Sequence, residues 1–276
     1  MVDRVEFFTR RIKTMMKEVL NKDLRKRIVE MIKKSGEGHI PSSFSIVDIV
    51  NHLYAEVLHV KPEDPAWEER DFFILSKGHG CAGLYVVLNK FGFLSDLDLA
   101  NYSQPEGILG GHPDLTTVPG AEASTGSLGH GFPTAAGLAL GLRIQNKRNR
   151  VFALLGDGEC NEGTIWESAL VAAKQQLGNL VAIVDLNGSA AQILPVDPLI
   201  DKWQAFGWQT HEIDGHSASD LQRVFSDLSF AQVAAPKVVI AHTVKGKGVS
   251  FVEGHGPWHH KIPNEQEYAE IMKELE

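Results

Sequence analysis

VFALLGDGECNEGTIWESALVAAKQQLGNLVAIVDLN, from Val151 to Asn187, is the stretch whose reading decides the fold. An apolar run, Val151 to Leu155, breaks sharply at Gly156-Asp157-Gly158. An amphipathic segment follows, and a second apolar run, Leu180 to Val184, ends in Asp185-Leu186-Asn187. Strand, tight turn, helix, strand is the economical reading. It places Asp157 and Asn187 at the carboxyl ends of two parallel strands, where open α/β sheets bind ligands.

Working outward, Phe72 to Ser76 reads as another strand, followed by the glycine turn Lys77-Gly78-His79-Gly80 and a helix from Cys81 to Phe91. Before it, Ser35 to Ser43 is a loop of small residues leading to a helix over Ile46 to Val57, which Ser43 or Ser45 would cap. Residues 1 to 35 carry apolar residues at helical spacing and predict one or two helices. Gly107 to Gly131 is a long glycine-rich loop without a charge run, expected to be ordered and functional. It feeds a helix of small residues, Pro133 to Leu142. Downstream come a helix near Asp201 to Phe206, strands at Thr210 to Ile213 and Val238 to Val244, a loop from Gly254 to Lys261, and a helix from Glu265 to Leu275. The expected fold is a single α/β domain over residues 1–276, a three-layer sandwich whose central, mainly parallel sheet of about five strands is flanked by helices.

With 43% hydrophobic and 22% charged residues, the 276-residue chain has an ordinary globular composition. A net charge of −8 argues against a nucleic-acid partner, because neutralising phosphates requires clustered Lys and Arg. The basic residues Arg10, Arg11, Lys13, Lys17, Lys22, Arg25, Lys26 and Arg27 are interleaved with acidic and apolar ones, which predicts a solvated helix face. Cys81 and Cys160 make no disulfide framework and point to a reducing compartment. Residues 1–30 lack the apolar core of a signal peptide, and nowhere do about 18 apolar residues run together. A soluble, cytoplasmic protein without a membrane partner is expected.

Asp157 and Asn187 are hard oxygen ligands of the kind Mg²⁺ takes alongside substrate phosphates. Gly158 would let the backbone approach a diphosphate, and a helix starting near Asn161 would point N–H groups at it. The plainer alternative is that both residues cap turns. Seven histidines, His39, His79, His112, His130, His255, His259 and His260, fall in glycine-containing loops, where function concentrates. Zinc is a rival explanation, but only His259-His260 are closely spaced. Proton handling and hydrogen bonding to a polar ligand fit the pattern better. Ser124 to Gly129 reads equally well as a backbone cradle or an ordinary loop. Glu162, in the first helical turn, either complements the helix dipole or forms a carboxylate relay at an interface. Cys160 has no activating partner in sequence and is not expected to act as a nucleophile.

As a set, these motifs resemble one family. Gly156-Asp157-Gly158 with the later Asn187 resembles the thiamine-diphosphate binding motif. With it stand Gly38-His39, Arg70-Asp71, Ser76-Lys77-Gly78-His79, Gly111-His112-Pro113, Glu122, Ser124 to Gly129, Lys245-Gly246-Lys247-Gly248 and Trp258-His259. In this order they resemble the diphosphate-binding domain of transketolase over nearly the whole chain. The resemblance implies that Asp157, Asn187 and the carbonyl of Ser189 hold Mg²⁺ or Ca²⁺. It implies that thiamine diphosphate is bound by His79, Gly126, Ser127, Leu128, Gly156, Asp157, Gly158, Asn187 and His259. His39, His112 and His259 would face the sugar hydroxyls and the reacting centre, and Glu162 would meet its symmetry mate. The implied activity is transfer of a two-carbon ketol unit between sugar phosphates, with the hard chemistry supplied by the cofactor.

A full transketolase also carries pyrimidine-binding and C-terminal domains, which are absent from these 276 residues. The resemblance therefore implies the N-terminal subunit of a split transketolase, inactive alone, in an α2β2 heterotetramer with a C-terminal subunit that carries the pyrimidine-binding domain. Two departures bear on substrate identity: the run Gly188-Ser189-Ala190-Ala191-Gln192, and His130 where glutamine is frequent. The competing readings are a 2-oxoacid-using relative, of deoxyxylulose-phosphate synthase or dehydrogenase α type, and a catalytically silent binding subunit.

Overall fold

The computed structural model describes residues 21–276. Of the basic residues near the amino terminus, Arg10, Arg11, Lys13 and Lys17 lie outside the described residues, as does the first part of the helical region expected over 1–35.

Five strands form one sheet: β1 (Phe72–Leu75), β2 (Val151–Gly156), β3 (Leu180–Leu186), β4 (Gln209–Asp214) and β5 (Lys237–His242). Their order is β1-β2-β3-β5-β4, and every pairing is parallel. The register sets Val151 opposite Leu180 and Gly156 opposite Asp185, so the Gly-Asp-Gly turn leaves β2 beside the last residues of β3. Around the sheet lie α1 (residues 21–35), α2 (Ile40–His52), α3 (Cys81–Lys90), α4 (Asp96–Ala100), α5 (Gly131–Ile144), α6 (Gly163–Lys174), α7 (Leu199–Ala205), α8 (Ala218–Asp227) and α9 (Glu265–Glu274).

Side chains alternate across a strand, and here they feed two cores. Phe152, Leu154, Val181, Ile183 and Val239 join one core with Phe44 of α2, Tyr85 of α3 and Leu221 of α8. Ala153, Leu155, Ala182, Val184 and Ile240 join the other with Phe132 of α5, Ala169 of α6 and Trp203 of α7. Burial on both faces explains why β2 and β3 read as continuous apolar runs rather than alternating ones. Each large apolar side chain removed from water contributes about 1.5–3 kcal/mol. The three-layer architecture and the parallel sheet are as the sequence predicts.

Several boundaries differ. The helix expected from Ile46 begins at Ile40, with Pro41 in its first turn, and it passes into a π turn at Leu53–Val57. Ser43 and Ser45 are therefore buried inside α2 and cap nothing. Proline suits a first turn because its missing N–H would have no helical partner there. The helix expected near Asn161 begins at Gly163, after a short 3₁₀ turn at Gly158–Asn161. Two helices, α4 and α8, have no counterpart in the sequence reading, although Ser95 and Ser217 cap them in the usual way. The solvated basic face is also corrected at one position. Arg25 is 6% exposed and ion-paired with Asp48 at 2.6 Å.

Candidate active site

Four strand ends converge on one cleft of about 360 Å³. Lys77 follows β1, Asp157 follows β2, Asn187 follows β3 and Lys245 follows β5, and all four line it with His79, Gly156, Gly158, Ser189 and His259. Asp157 is 1% exposed. Its Oδ1 accepts the Gly158 N–H at 2.7 Å and its Oδ2 accepts the Ala190 N–H at 3.3 Å. Burial pushes its carboxyl up, and the nearby Asp185 adds to this, so the site favours a cation that would restore the charged form.

Asn187 is oriented by its neighbours. Its Nδ2 donates to Asp185 Oδ2 at 2.9 Å and its Oδ1 accepts the Ser189 N–H at 3.0 Å. An amide oxygen has a second lone pair, so Asn187 can still ligate a metal. Among the described residues no three His, Cys, Asp or Glu side chains group into a metal site. The Asp157–Asn187 pair instead offers one carboxylate and one amide oxygen, a donor set suited to Mg²⁺ or Ca²⁺ with phosphate completing the shell.

The glycines fit a diphosphate. A Cβ built on Gly158 would meet nothing within 4 Å, so the backbone there is open to a ligand. A Cβ on Gly78 would come within 2.8 Å of the Gly126 nitrogen, so two of the glycine loops lie backbone to backbone. A Cβ on Gly126 would strike the His112 ring at 2.9 Å. Of the Gly126 to Leu128 segment, Leu128 alone is among the residues lining the cleft.

Four histidines from three loops meet beside this cleft. His39 lies 5.4 Å from His79, 5.3 Å from His259 and 4.6 Å from His260, ring centre to ring centre. Burial lowers the His39 pKa to about 4, helped by His260, His259 and His112. Burial lowers His79 further, to about 2, with the Lys77 charge next. Neutral imidazoles can each donate and accept, which suits sugar hydroxyls. His39 Nδ1 is buried without a hydrogen-bond partner, an unmet demand that a ligand hydroxyl would satisfy. Of the remaining three loop histidines, His112 sets its ring against Gly126. His130 bonds the Leu128 carbonyl at the start of α5, and His255 lies against Gly188.

Asp185 and Glu159 do not stand out in the sequence, and Lys245 does so only as part of the Lys245-Gly246-Lys247-Gly248 motif. Asp185, fully buried within β3, accepts from Lys77 at 2.5 Å, from Ser45 at 2.7 Å, and from Asn187 and Thr243. Burial alone would raise its carboxyl, but Lys77 and these donors hold it below the usual range. Glu159 accepts from Ser76 Oγ at 2.5 Å, Gly129 N at 3.0 Å and Gly156 N at 3.2 Å, tying three of the loops together. Lys245 donates to Ser189 Oγ and to His259 Nδ1, each at 3.1 Å. A charged residue inside an apolar run, as at Asp185, is the available signal. Glu162, by contrast, is exposed, packed over Gly129 beside Thr164, so the deeply buried carboxylate of this turn is Glu159. Cys160 is buried with its thiol pushed up by desolvation, in keeping with the expectation that it is no nucleophile.

Residues 16–275 match the family described as transketolase, thiamine diphosphate binding domain. The chain belongs to the transketolase family. An apulose-4-phosphate transketolase subunit of Actinobacillus succinogenes is 41% identical over 261 residues, covering 92% of this chain and 94% of that protein. The protein of the same name from Phocaeicola vulgatus is 36% identical over 263 residues, covering 94% of this chain and 93% of that protein. Human transketolase is 34% identical over 94% of this chain, which spans 42% of the human protein. Among solved structures, a transketolase variant from Pichia stipitis superposes with a TM-score of 0.87 at 25% identity, covering 94% of this chain and 40% of that one. The fold is thus that of the thiamine-diphosphate-binding domain of transketolases, a family of ketol-transferring enzymes. The two transketolase subunits match over nearly their full length, while the longer transketolases match over about two fifths of theirs. Among the described residues no helix is long and apolar enough to cross a membrane.

Proposed function

We propose that this chain is the diphosphate-binding subunit of a split transketolase, moving a two-carbon ketol unit from a ketose phosphate to an aldose phosphate together with a partner chain. One observation carries the reading: Asp157 and Asn187 line a single cleft at the ends of adjacent strands, beside the open backbone of Gly158. Asp157, Asn187 and the Ser189 carbonyl hold Mg²⁺ or Ca²⁺. His79, Gly126, Ser127, Leu128, Gly156, Gly158 and His259 hold thiamine diphosphate. When bound, the cofactor supplies the carbon nucleophile that ketol transfer requires. His39, His112 and His259 bind and orient the sugar hydroxyls and hold or move protons there. His39, kept neutral by burial, can do so without adding charge to the pocket. The histidine cluster favours a polyhydroxylated substrate over a 2-oxoacid, which has few hydroxyls to bind.

The single diphosphate-binding domain, with pyrimidine-binding and C-terminal domains supplied by the partner, is part of the same proposal. An α2β2 assembly with Glu162 facing its symmetry mate accords with the exposure of that residue. Two free, buried cysteines, Cys81 and Cys160, accord with a cytoplasmic location. The test has two parts. Thiamine diphosphate with Mg²⁺ should raise the melting temperature of the purified chain by mass action, and no shift would favour a silent scaffold. Ketol transfer should appear only when the partner chain is added. Transfer by the chain alone would sink the split-site reading, and turnover of pyruvate in place of ketoses would favour the 2-oxoacid relative.

A further inference from the structure

Behind the cleft, outside the residues assigned to cofactor or substrate, sits a buried polar cluster of Arg25, Asp48 and His216. The three side chains are 6%, 7% and 10% exposed. Asp48 accepts from Arg25 Nη2 at 2.6 Å and Nη1 at 3.1 Å, and lies 2.7 Å from His216 Nδ1. On its other edge, His216 Nε2 accepts the backbone N–H of Val244 at 2.9 Å. That N–H can only donate, so Nε2 is the unprotonated nitrogen and Nδ1–H donates to Asp48. Burial would raise the Asp48 carboxyl, but the Arg25 charge and the His216 and Arg25 hydrogen bonds hold it low, so it remains a strong acceptor for both partners.

Both arms of the cluster end on one short loop. His216 holds Val244, and Arg25 Nε donates to the Lys247 carbonyl at 2.8 Å. Between these two points, Gly246 N donates to the Pro41 carbonyl of α2, the helix that carries Asp48. Lys245 lies inside this bracket, and its ammonium reaches the cleft to contact Ser189 and His259. We infer that His216 and Arg25, which meet at Asp48, form a positioning device whose bonds to Val244 and Lys247 aim Lys245 at the anion-binding end of the cleft. This rests on the proposal that the cleft takes a diphosphate. The residues act through Lys245 and touch no ligand themselves. Outer-shell hydrogen bonds of this kind commonly change ligand affinity by about 10- to 100-fold when lost.

Two substitutions at one position separate positioning from packing. His216→Gln keeps an acceptor near the Nε2 site for Val244 and gives up the donor to Asp48. His216→Asn keeps a donor near the Nδ1 site for Asp48 and gives up the hold on Val244. Titration of inorganic diphosphate with Mg²⁺ into the folded full chain, followed by calorimetry, reads the outcome. We expect His216→Asn to bind about tenfold more weakly and His216→Gln to stay close to wild type. The reverse order, or equal affinities, overturns the positioning role and leaves His216 as a partner for buried Asp48. If His216→Asn does not fold, Arg25→Lys tests the same loop from its other end, keeping a cation for Asp48 but losing the bond to Lys247. Its unchanged affinity overturns the inference, and a loss near tenfold supports it. A wild-type chain that binds no diphosphate would overturn the cofactor reading and this inference together.

Discussion

Lys77 Nζ lies 2.5 Å from Asp185 Oδ2, and both side chains are buried beneath the cleft that Asn187 enters. Because Asp185 also accepts from Asn187, the pair links the stability of the sheet to the aim of a candidate metal ligand. Removing one member of a buried pair leaves an uncompensated charge, which costs about 3–5 kcal/mol. Asp185→Ala should therefore lower the unfolding free energy by about that amount in urea denaturation, and weaken Mg²⁺-dependent cofactor binding. A loss below about 1 kcal/mol would show that Lys77 is readily solvated or neutralised when its partner goes.

Glu159 predicts a pH signature. Burial raises its carboxyl above the ordinary value of 4.5, against the pull of Ser76, Gly129, Gly156 and Lys77. A folded-state pKa above the unfolded one means that the native chain binds more protons in that window. Its contribution is then fully present below about pH 4.5 and is lost as pH rises through the raised value. Glu159→Gln cannot titrate and loses at least one accepted bond, a deficit of about 1–3 kcal/mol at low pH. That deficit should shrink as pH rises, and a deficit that grows with pH in paired denaturation curves would contradict this account.

For His39 the sign is opposite. Its folded pKa, about 4, lies below the unfolded value of 6.5, so the unfolded chain binds more protons between them. The stability it contributes is complete above pH 6.5 and is lost as pH falls through about 4. His39→Asn should flatten the stability profile in that interval, and NMR should find the His39 imidazole neutral down to about pH 5. An imidazole resonance titrating near 6.5 would show that the ring is solvated rather than enclosed by its neighbours.

What is legible in the sequence is local. The apolar runs of β2 and β3, the Gly-Asp-Gly turn and the carboxyl-end placement of Asp157 and Asn187 follow from period and turn chemistry within a few dozen residues. The loop histidines are visible as a class, but their convergence is not. His39 and His260 meet only because α2 and the loop before α9 close over the same strand ends. Long-range pairings are out of reach for the same reason: nothing near Arg25 announces Asp48, and nothing near Glu159 announces Gly129. Reading its serines as caps misplaces the start of α2, whereas Pro41 marks the first turn.

Gly158 and Gly78 look alike in sequence, yet the structure gives them opposite tolerances. A methyl added at Gly158 enters open space, so Gly158→Ala should change stability by no more than about 0.5 kcal/mol. The same methyl would occupy the approach of a diphosphate, so affinity should fall although the fold is intact. At Gly78 the added carbon meets the Gly126 nitrogen at 2.8 Å and the Thr125 side chain at 2.8 Å. Backbone cannot move aside cheaply, and overpacking of this kind costs about 1–3 kcal/mol. Thermal melts and diphosphate titrations of the two alanine variants should therefore cross, with Gly158→Ala stable but weak in binding and Gly78→Ala losing stability first. If Gly158→Ala bound diphosphate as well as wild type, the open backbone at that turn could not be the approach the ligand uses.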